Sequence, residues 1–220
     1  SQTSVTRNVS QYGGGLYASS AATLQMANVT FGANQSSLGG AMYLDNTAVN
    51  LDFATISGNS AATGSGIAGA SSHAVQLRNS IVSNNSGGND CGNDGNPQTY
   101  VSLGYNVAGN GCPSDGTGDI ATTNPQLGPL SANGGLGETM MPARASAAID
   151  AGDCAASSIH VHERNHSRPR DVPGGTTVAH DSASGAVALA PALSPCWSGA
   201  WTSGHGHHTE RSSSLKSLRV

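Results

Sequence analysis

The strongest constraint on how this chain folds is an internal repeat with a period of about 25 residues. Three segments align without gaps: LQMANVTFGAN (24–34), VNLDFATISGN (49–59) and VQLRNSIVSNN (75–85). Each contains two short runs in which apolar and polar residues alternate, a pattern that is typical of strands, and none has helical apolar spacing. The repeat is too short for a propeller blade. It therefore predicts a parallel β-helix in which each repeat forms one coil.

Equivalent positions of successive coils should stack in columns along such a fold. The apolar columns predicted to fill the interior are Met26, Leu51 and Leu77, and on another strand Leu16, Met42 and Ala68. Asparagines close each segment, and amides in such a column can hydrogen-bond to one another. These asparagines are Asn34, Asn59 and Asn85. Glycines recur once in each repeat, at Gly14, Gly40 and Gly66, where we expect tight corners.

Length and charge restrict the classes of protein to which the chain can belong. At 220 residues it is one domain, or one domain with a tail. The net charge of −4, with a single lysine, argues against a nucleic-acid partner, which requires a clustered basic face. No apolar run is long enough to span a bilayer, so we expect no membrane insertion by this segment. The chain starts near its first Gly-rich motif, so we expect a mature product or fragment whose export signal is not present.

Further motifs carry a resemblance to known families. GGAM (39–42) and FGAN (31–34) resemble the repeats of polymorphic outer membrane proteins. NSIVSNNSGGNDC (79–91), SLGYNVAGNGC (102–112), TNPQLGPLSANGG (123–135) and AIDAGD (148–153) resemble the bacterial "choice-of-anchor Q" domain. That domain is a right-handed parallel β-helix of the pectin-lyase-like superfamily, found on exported and surface proteins, and most members have no assigned reaction.

The expected fold class is accordingly all-β, a right-handed single-stranded parallel β-helix. It should occupy residues 1–153 and include a loop excursion at residues 91–112. Residues 154–220 depart from the family pattern, which predicts a degenerate cap followed by an irregular, flexible tail.

The cysteines bear on compartment and on fold. The resembled family carries a cysteine pair at the position of Cys91 and Cys112, which implies a disulfide, whereas the residues alone also allow two free thiols. A Cys154–Cys196 pair is left open. No CxxC spacing or nearby histidine indicates a metal site. An even number of cysteines and a disulfide favour an oxidising compartment, hence a secreted or cell-surface location.

Two functions from different classes follow. The first is a non-catalytic module of a secreted or cell-surface bacterial protein, without a cofactor, that acts as a stalk or an adhesive surface for a glycan or a surface protein. Its oligomeric state is left open. The alternative is a carbohydrate-active enzyme, a polysaccharide lyase or glycoside hydrolase, with Asp45, Asp52 and Arg78 as catalytic candidates. Asp52 and Arg78 share an outward column one coil apart, so an exposed ion pair is the competing interpretation.

Calcium is a further, weaker hypothesis. Oxygen-rich loops bind calcium, and four aspartates lie next to, within or after the segment between the first two cysteines. These candidates are Asp90, Asp94, Asp115 and Asp119. Their spacing does not match a calcium-binding loop motif, and acidic Gly/Asn loops are usually only solvated.

Overall fold

The computed structural model describes residues 3–20, 22–70, 72–134 and 136–153. Within these residues every regular element is a strand, and the chain winds through about four turns of a parallel β-solenoid. The predicted fold class is therefore confirmed. The expected cap and tail at 154–220, and the Cys154–Cys196 pair, lie outside the described residues.

In chain order the described strands are β1 (Thr3–Thr6), β2 (Leu16–Ser19), β3 (Leu24–Gly32), β4 (Met42–Asp45), β5 (Val49–Ser57), β6 (Ser60–Ala61), β7 (Ile67–Gly69), β8 (Ala74–Arg78), β9 (Ile81–Val82), β10 (Ser86–Gly87), β11 (Cys91–Asn93), β12 (Thr99–Ser102), β13 (Val107–Ala108), β14 (Ile120–Ala121), β15 (Leu127–Ser131) and β16 (Thr139–Pro142).

Parallel pairing between coils builds the faces of the solenoid. The largest sheet has the order β1-β3-β5-β9-β13-β14, with β8 beside β5 and β12 beside β8. A four-stranded sheet has the order β2-β4-β7-β11, and β6 pairs with β10. Only β15 and β16 pair antiparallel among the described strands. Successive coils therefore add strands to the same main faces, as the sequence period requires.

A sharp corner divides the largest sheet into two legs. Within β3 and β5 the corner falls at Asn28 and Phe53, whose φ angles are 51° and 53°. In the next two coils it falls at Asn79 and Tyr105, with φ of 49° and 60°. Asparagine tolerates this left-handed conformation better than most residues.

The interior columns follow the sequence repeat, with one shift. Met26, Leu51 and Leu77 stand in one register, and the latter two are fully buried. On the four-stranded sheet Met42 pairs with Ile67, and Tyr43 pairs with Ala68. The expectation that Ala68 lies inside is wrong, because the coil between β4 and β7 is one residue shorter than the coil between β2 and β4. The shift places Ala68 on the outward column.

A ladder of side-chain amides connects the coils. Asn8, Asn34 and Asn59 each donate from Nδ2 to the Oδ1 of the asparagine in the next coil, at 3.0, 3.0 and 2.9 Å, the last acceptor being Asn85. Each Oδ1 also accepts the backbone N–H of the preceding asparagine. The ladder thus includes the three predicted asparagines and extends one coil further, to Asn8.

The ladder ends on a carboxylate. Asp90 Oδ1 accepts from both the Nδ2 and the backbone N–H of Asn85, at 2.8 and 2.9 Å, and its Oδ2 accepts from Asn110 N at 3.0 Å. A second ladder ends in the same way, because Asp119 Oδ1 accepts from the Nδ2 and N–H of Asn106. A carboxylate suits this position because it accepts on both oxygens and donates from neither.

The glycine column is required by close approach between coils. A Cβ on Gly14 would lie 2.3 Å from the carbonyl oxygen of Gly40, and a Cβ on Gly40 would lie 2.1 Å from that of Ser65. Gly66 is similarly close to Asp90 O, at 2.7 Å. No side chain fits between these backbones, so the column is glycine for steric reasons.

Residues 91–112, expected as an excursion, continue the solenoid. Strands β11, β12 and β13 pair with β7, β8 and β9 in the coil before them. The predicted Cys91–Cys112 disulfide is confirmed, with 4.9 Å between the Cα atoms. Cys91 N also donates to Asn110 O at 3.1 Å, so the disulfide joins two segments that stack on each other.

Residues 124–153 run back along the solenoid as a strap. Leu130 and Met140 of the β15–β16 hairpin lie against Gly32 in the second coil. Arg7 in the first coil forms an ion pair with Glu138, and Arg7 Nη2 donates to Oε1 at 2.8 Å. Past the hairpin, Asp153 N donates to Asn79 Oδ1 at 2.8 Å. The strap therefore covers one leg of the largest sheet from the first coil to the fourth.

We predict that Asn59→Ala lowers the free energy of unfolding by roughly 2 to 4 kcal/mol. The substitution leaves the N–H and Nδ2 of Asn34 and the carbonyl of Phe31 without their partner, and each unsatisfied buried group costs about 1–3 kcal/mol. Asn50→Ala, at an outward position of β5 in the same coil, is the matched control and should cost less than about 0.5 kcal/mol. Equal urea midpoints for the two variants would contradict the ladder's role.

We predict that Glu138→Gln reduces stability at neutral pH but not in acid. The hydrogen bond from Arg7 lowers the pKa of Glu138 below its ordinary value of 4.5. The stabilisation is present above that value and is lost as the pH falls through the lowered pKa. Urea midpoints of wild type and variant should differ slightly at pH 7 and converge on acidification. Asp115→Asn, on an exposed loop, controls for the change in net charge.

Candidate functional site

A polar groove lies on the outer surface of the largest sheet, along the part of β3, β5 and β8 that precedes the corner. Its volume is about 380 Å³. One column of its lining is made of amides and the next contains charged residues. The lining residues of these columns are Gln25, Asn50, Gln76, Ala27, Asp52 and Arg78. These residues meet because parallel register places Gln25, Asn50 and Gln76 in one column, and Ala27, Asp52 and Arg78 in the next.

The structure brings together two of the three catalytic candidates. Asp52 and Arg78 are register partners on β5 and β8, and both line the groove. Asn79 Nδ2 lies 3.3 Å from Asp52 Oδ1. Asp45 is on β4 of the other sheet, where its Oδ2 accepts from Ser19 Oγ at 2.9 Å. Among the lining residues Asp52 is the one carboxylate, whereas glycoside hydrolysis ordinarily uses two on either side of the scissile bond.

The four calcium candidates lie in different environments. Asp90 and Asp119 end the two amide ladders, and Asp94 accepts from the hydroxyl of Tyr43. Asp115 lies on an exposed loop. Burial raises the pKa of Asp90, while the bonds from Asn85 and Asn110 act in the opposite direction. No group of three or more His, Cys, Asp or Glu residues suited to a metal ion occurs in the described part of the chain.

An aromatic cluster, Tyr12, Tyr17 and Tyr43, occupies the outer surface of the four-stranded sheet. We call it the tyrosine patch. The rings of Tyr17 and Tyr43 are stacked, with centroids 5.8 Å apart and planes 11° apart. Tyr12 lies 5.4 Å from Tyr43 and 6.4 Å from Tyr17, tilted by 56° and 51°. Tyr43 is only 7% exposed, whereas Tyr12 and Tyr17 are 42% and 52% exposed.

Register explains how the patch forms. Tyr17 pairs with Tyr43, Tyr43 with Ala68, and Ala68 with Gly92, so side chains along this column become smaller. The small residues allow the hydroxyl of Tyr43 to reach Asp94, beyond the end of β11. Burial, followed by the bond to Asp94, raises the pKa of Tyr43, which therefore stays protonated and a donor.

The segment that carries Asp94 is itself held in place. The disulfide at Cys91 fixes its start, and the hydroxyl of Tyr100 donates to Gly92 O at 2.7 Å. Asp94 N lies 3.4 Å from Gly69 O. The position of the Asp94 carboxylate is therefore fixed, and its hydrogen bond fixes the position of the Tyr43 ring.

Sequence reasoning did not identify the tyrosine patch. One signal was present, since Tyr17 and Tyr43 occupy the same position of successive repeats. Tyr12 gave no such signal, because its register partners in the next coils are Leu38 and Thr63.

Comparison of the chain with models of known protein families, with curated proteins and with solved structures finds no match. The resemblance to choice-of-anchor Q domains therefore depends on the motifs alone. In the described residues there is no helix of the length and apolar character needed to cross a membrane.

We predict that Tyr43→Phe destabilises the fold by about 1–3 kcal/mol, because it leaves the Asp94 carboxylate without its donor. Tyr17→Phe removes a hydroxyl from a half-exposed ring of the same cluster and should change the free energy of unfolding by less than about 0.5 kcal/mol. Urea denaturation of both variants tests this. Equal stability of the two would show that the contact with Asp94 contributes nothing.

Proposed function

We propose that this chain is a non-catalytic β-helical module of a secreted or cell-surface bacterial protein, akin to choice-of-anchor Q domains. In this role the solenoid is a rigid stalk that presents an adhesive surface. The observation that carries the proposal is the tyrosine patch. Soluble proteins usually bury large aromatic side chains, and a cluster of them exposed on a rigid sheet is typical of a recognition surface.

Rigidity supports the stalk part of the proposal. The amide ladder runs without a break from Asn8 to Asp90, and the strap joins the first coil to the fourth. The disulfide adds a covalent link next to Asp90, the residue on which the ladder ends. A surface built on this frame loses little conformational freedom when it binds, which favours adhesion.

The polar groove supports a second candidate function, a carbohydrate-active enzyme. There Asp52 would act as the base and Arg78 would neutralise an anionic substrate group, since the two are register partners in a concave surface. The adhesive proposal is preferred for two reasons. The groove lining offers a single carboxylate, whereas ordinary glycoside hydrolysis requires two. For a lyase, the third candidate, Asp45, lies on the other sheet and adds no further acid to Asp52 and Arg78.

One experiment separates the two functions. The purified chain is coated on beads and tested for retention on surfaces that carry bacterial polysaccharides, host glycans or extracellular proteins. In parallel it is incubated with pectin and alginate, with and without calcium, while absorbance of unsaturated products and reducing ends are followed. We expect retention on at least one surface and no product.

Asp52→Asn and Arg78→Gln provide the control. Both variants should adhere as wild type does, because neither residue belongs to the tyrosine patch. Product formation that disappears in Asp52→Asn would establish the enzyme and overturn the proposal, as would a failure of the folded chain to adhere to any surface.

A further inference from the structure

We propose that Tyr12 and Tyr17 form a binding platform for uncharged pyranose units of a glycan. The inference deepens the proposed function, on which it rests, by naming the site and the ligand class. Ring geometry, the polar groups at the edge of the patch and the charge around it support this assignment.

The first step concerns which ring surface is open. Tyr43 covers one face of Tyr17, because the two rings are stacked and nearly parallel. About half of Tyr17 is nevertheless exposed, so its accessible surface is the opposite face and the ring edge. Tyr12 stands beside it at an angle of 51°. The two exposed rings therefore form a shallow corner rather than a flat wall.

The second step concerns the chemistry that fits such a corner. A pyranose ring presents a face of C–H groups with slight positive charge, whereas an aromatic ring has a negative face. Stacking on Tyr17 brings these two oppositely charged faces into contact. Tyr12 contacts the edge of the same sugar or the next unit.

The third step concerns the hydroxyl groups of the ligand. Ser19 and Asp45 come two residues after Tyr17 and Tyr43 on β2 and β4, so they lie on the same outward surface. Their side chains are hydrogen-bonded to each other at 2.9 Å. A carboxylate accepts several hydrogen bonds, and Asp45 is half-buried, so it is a suitable partner for equatorial hydroxyls.

The fourth step concerns ligand charge. The charged groups that act on Tyr43 are the carboxylates of Asp94 and Asp45, and both are acidic. A uronate or sulfated sugar would meet like charge. Neutral hexoses and pentoses meet no such penalty, so the platform selects against acidic polysaccharides. The groove that contains Arg78 is a separate surface on the other sheet.

Affinity electrophoresis with soluble neutral polysaccharides (laminarin, galactomannan, arabinoxylan) and with polygalacturonate tests the proposal. Wild type should be retarded by at least one neutral polymer and not by polygalacturonate. Tyr17→Leu should weaken this retention about tenfold, which is the scale of stacking on one aromatic ring. Tyr17→Phe keeps the ring and should keep the retention. Val9→Ala, at an exposed apolar residue outside the patch, is the matched control.

Each variant is first compared with wild type by urea denaturation, so that loss of the fold is distinguished from loss of the site. An ultraviolet difference spectrum of tyrosine on ligand addition gives an independent readout. Retention that is unchanged in Tyr17→Leu, or stronger with polygalacturonate than with neutral polymers, overturns the proposal. Adhesion to protein-coated surfaces without retention by any neutral polysaccharide also overturns it, while leaving the adhesive module itself established.

Discussion

The hydrogen bonds of one asparagine per coil determine how this chain stacks. In each coil the side-chain oxygen accepts the amide groups of the preceding asparagine, and Nδ2 donates forward and to a backbone carbonyl, such as Phe31 O for Asn59. These contacts satisfy polar groups that the strands leave unpaired at the turn after β3 and β5, where burial without a partner costs about 1–3 kcal/mol each. A coil that is longer or shorter at this turn would move its asparagine out of the column, so the ladder fixes the register of the strands before and after it.

A ladder that always donates forward needs a final acceptor. Asp90 provides it for the first ladder and Asp119 for the second, each with both oxygens accepting. Asp90 and Asp119, two of the calcium candidates, thus act as the final hydrogen-bond acceptors of the ladders. Asp90 is buried together with the groups that donate to it. At the opposite end the strap contributes Glu138, which pairs with Arg7 in the first coil. Both ends of the described solenoid are thereby held by polar contacts from outside the repeat.

The parts of the fold that repeat could be predicted, and the parts that do not repeat could not. The interior column of Met26, Leu51 and Leu77 and the asparagine column follow from aligned residues. The strap has no repeat pattern, and its position depends on tertiary contacts such as Met140 with Gly32. The coil at 91–112 was missed because its strands β11 and β13 are short and its sequence between the cysteines resembles a loop. Of the tyrosine patch, only the pair of Tyr17 and Tyr43 left a periodic signal.

A register shift of one residue decides which side chain fills the interior beside Met42. A coil as long as the one before it would have placed Ala68 beside Met42 and Ile67 outside, beside Ala41. Because the coil is one residue shorter, Ile67 is buried in the core and Ala68 stands beside Tyr43. The longer coil would have placed Gly69 beside Tyr43, so a small residue neighbours Tyr43 in either register. The space through which Tyr43 reaches Asp94 therefore does not depend on the shift. The shift instead adds apolar volume to the core, because it buries an isoleucine where an alanine would otherwise lie.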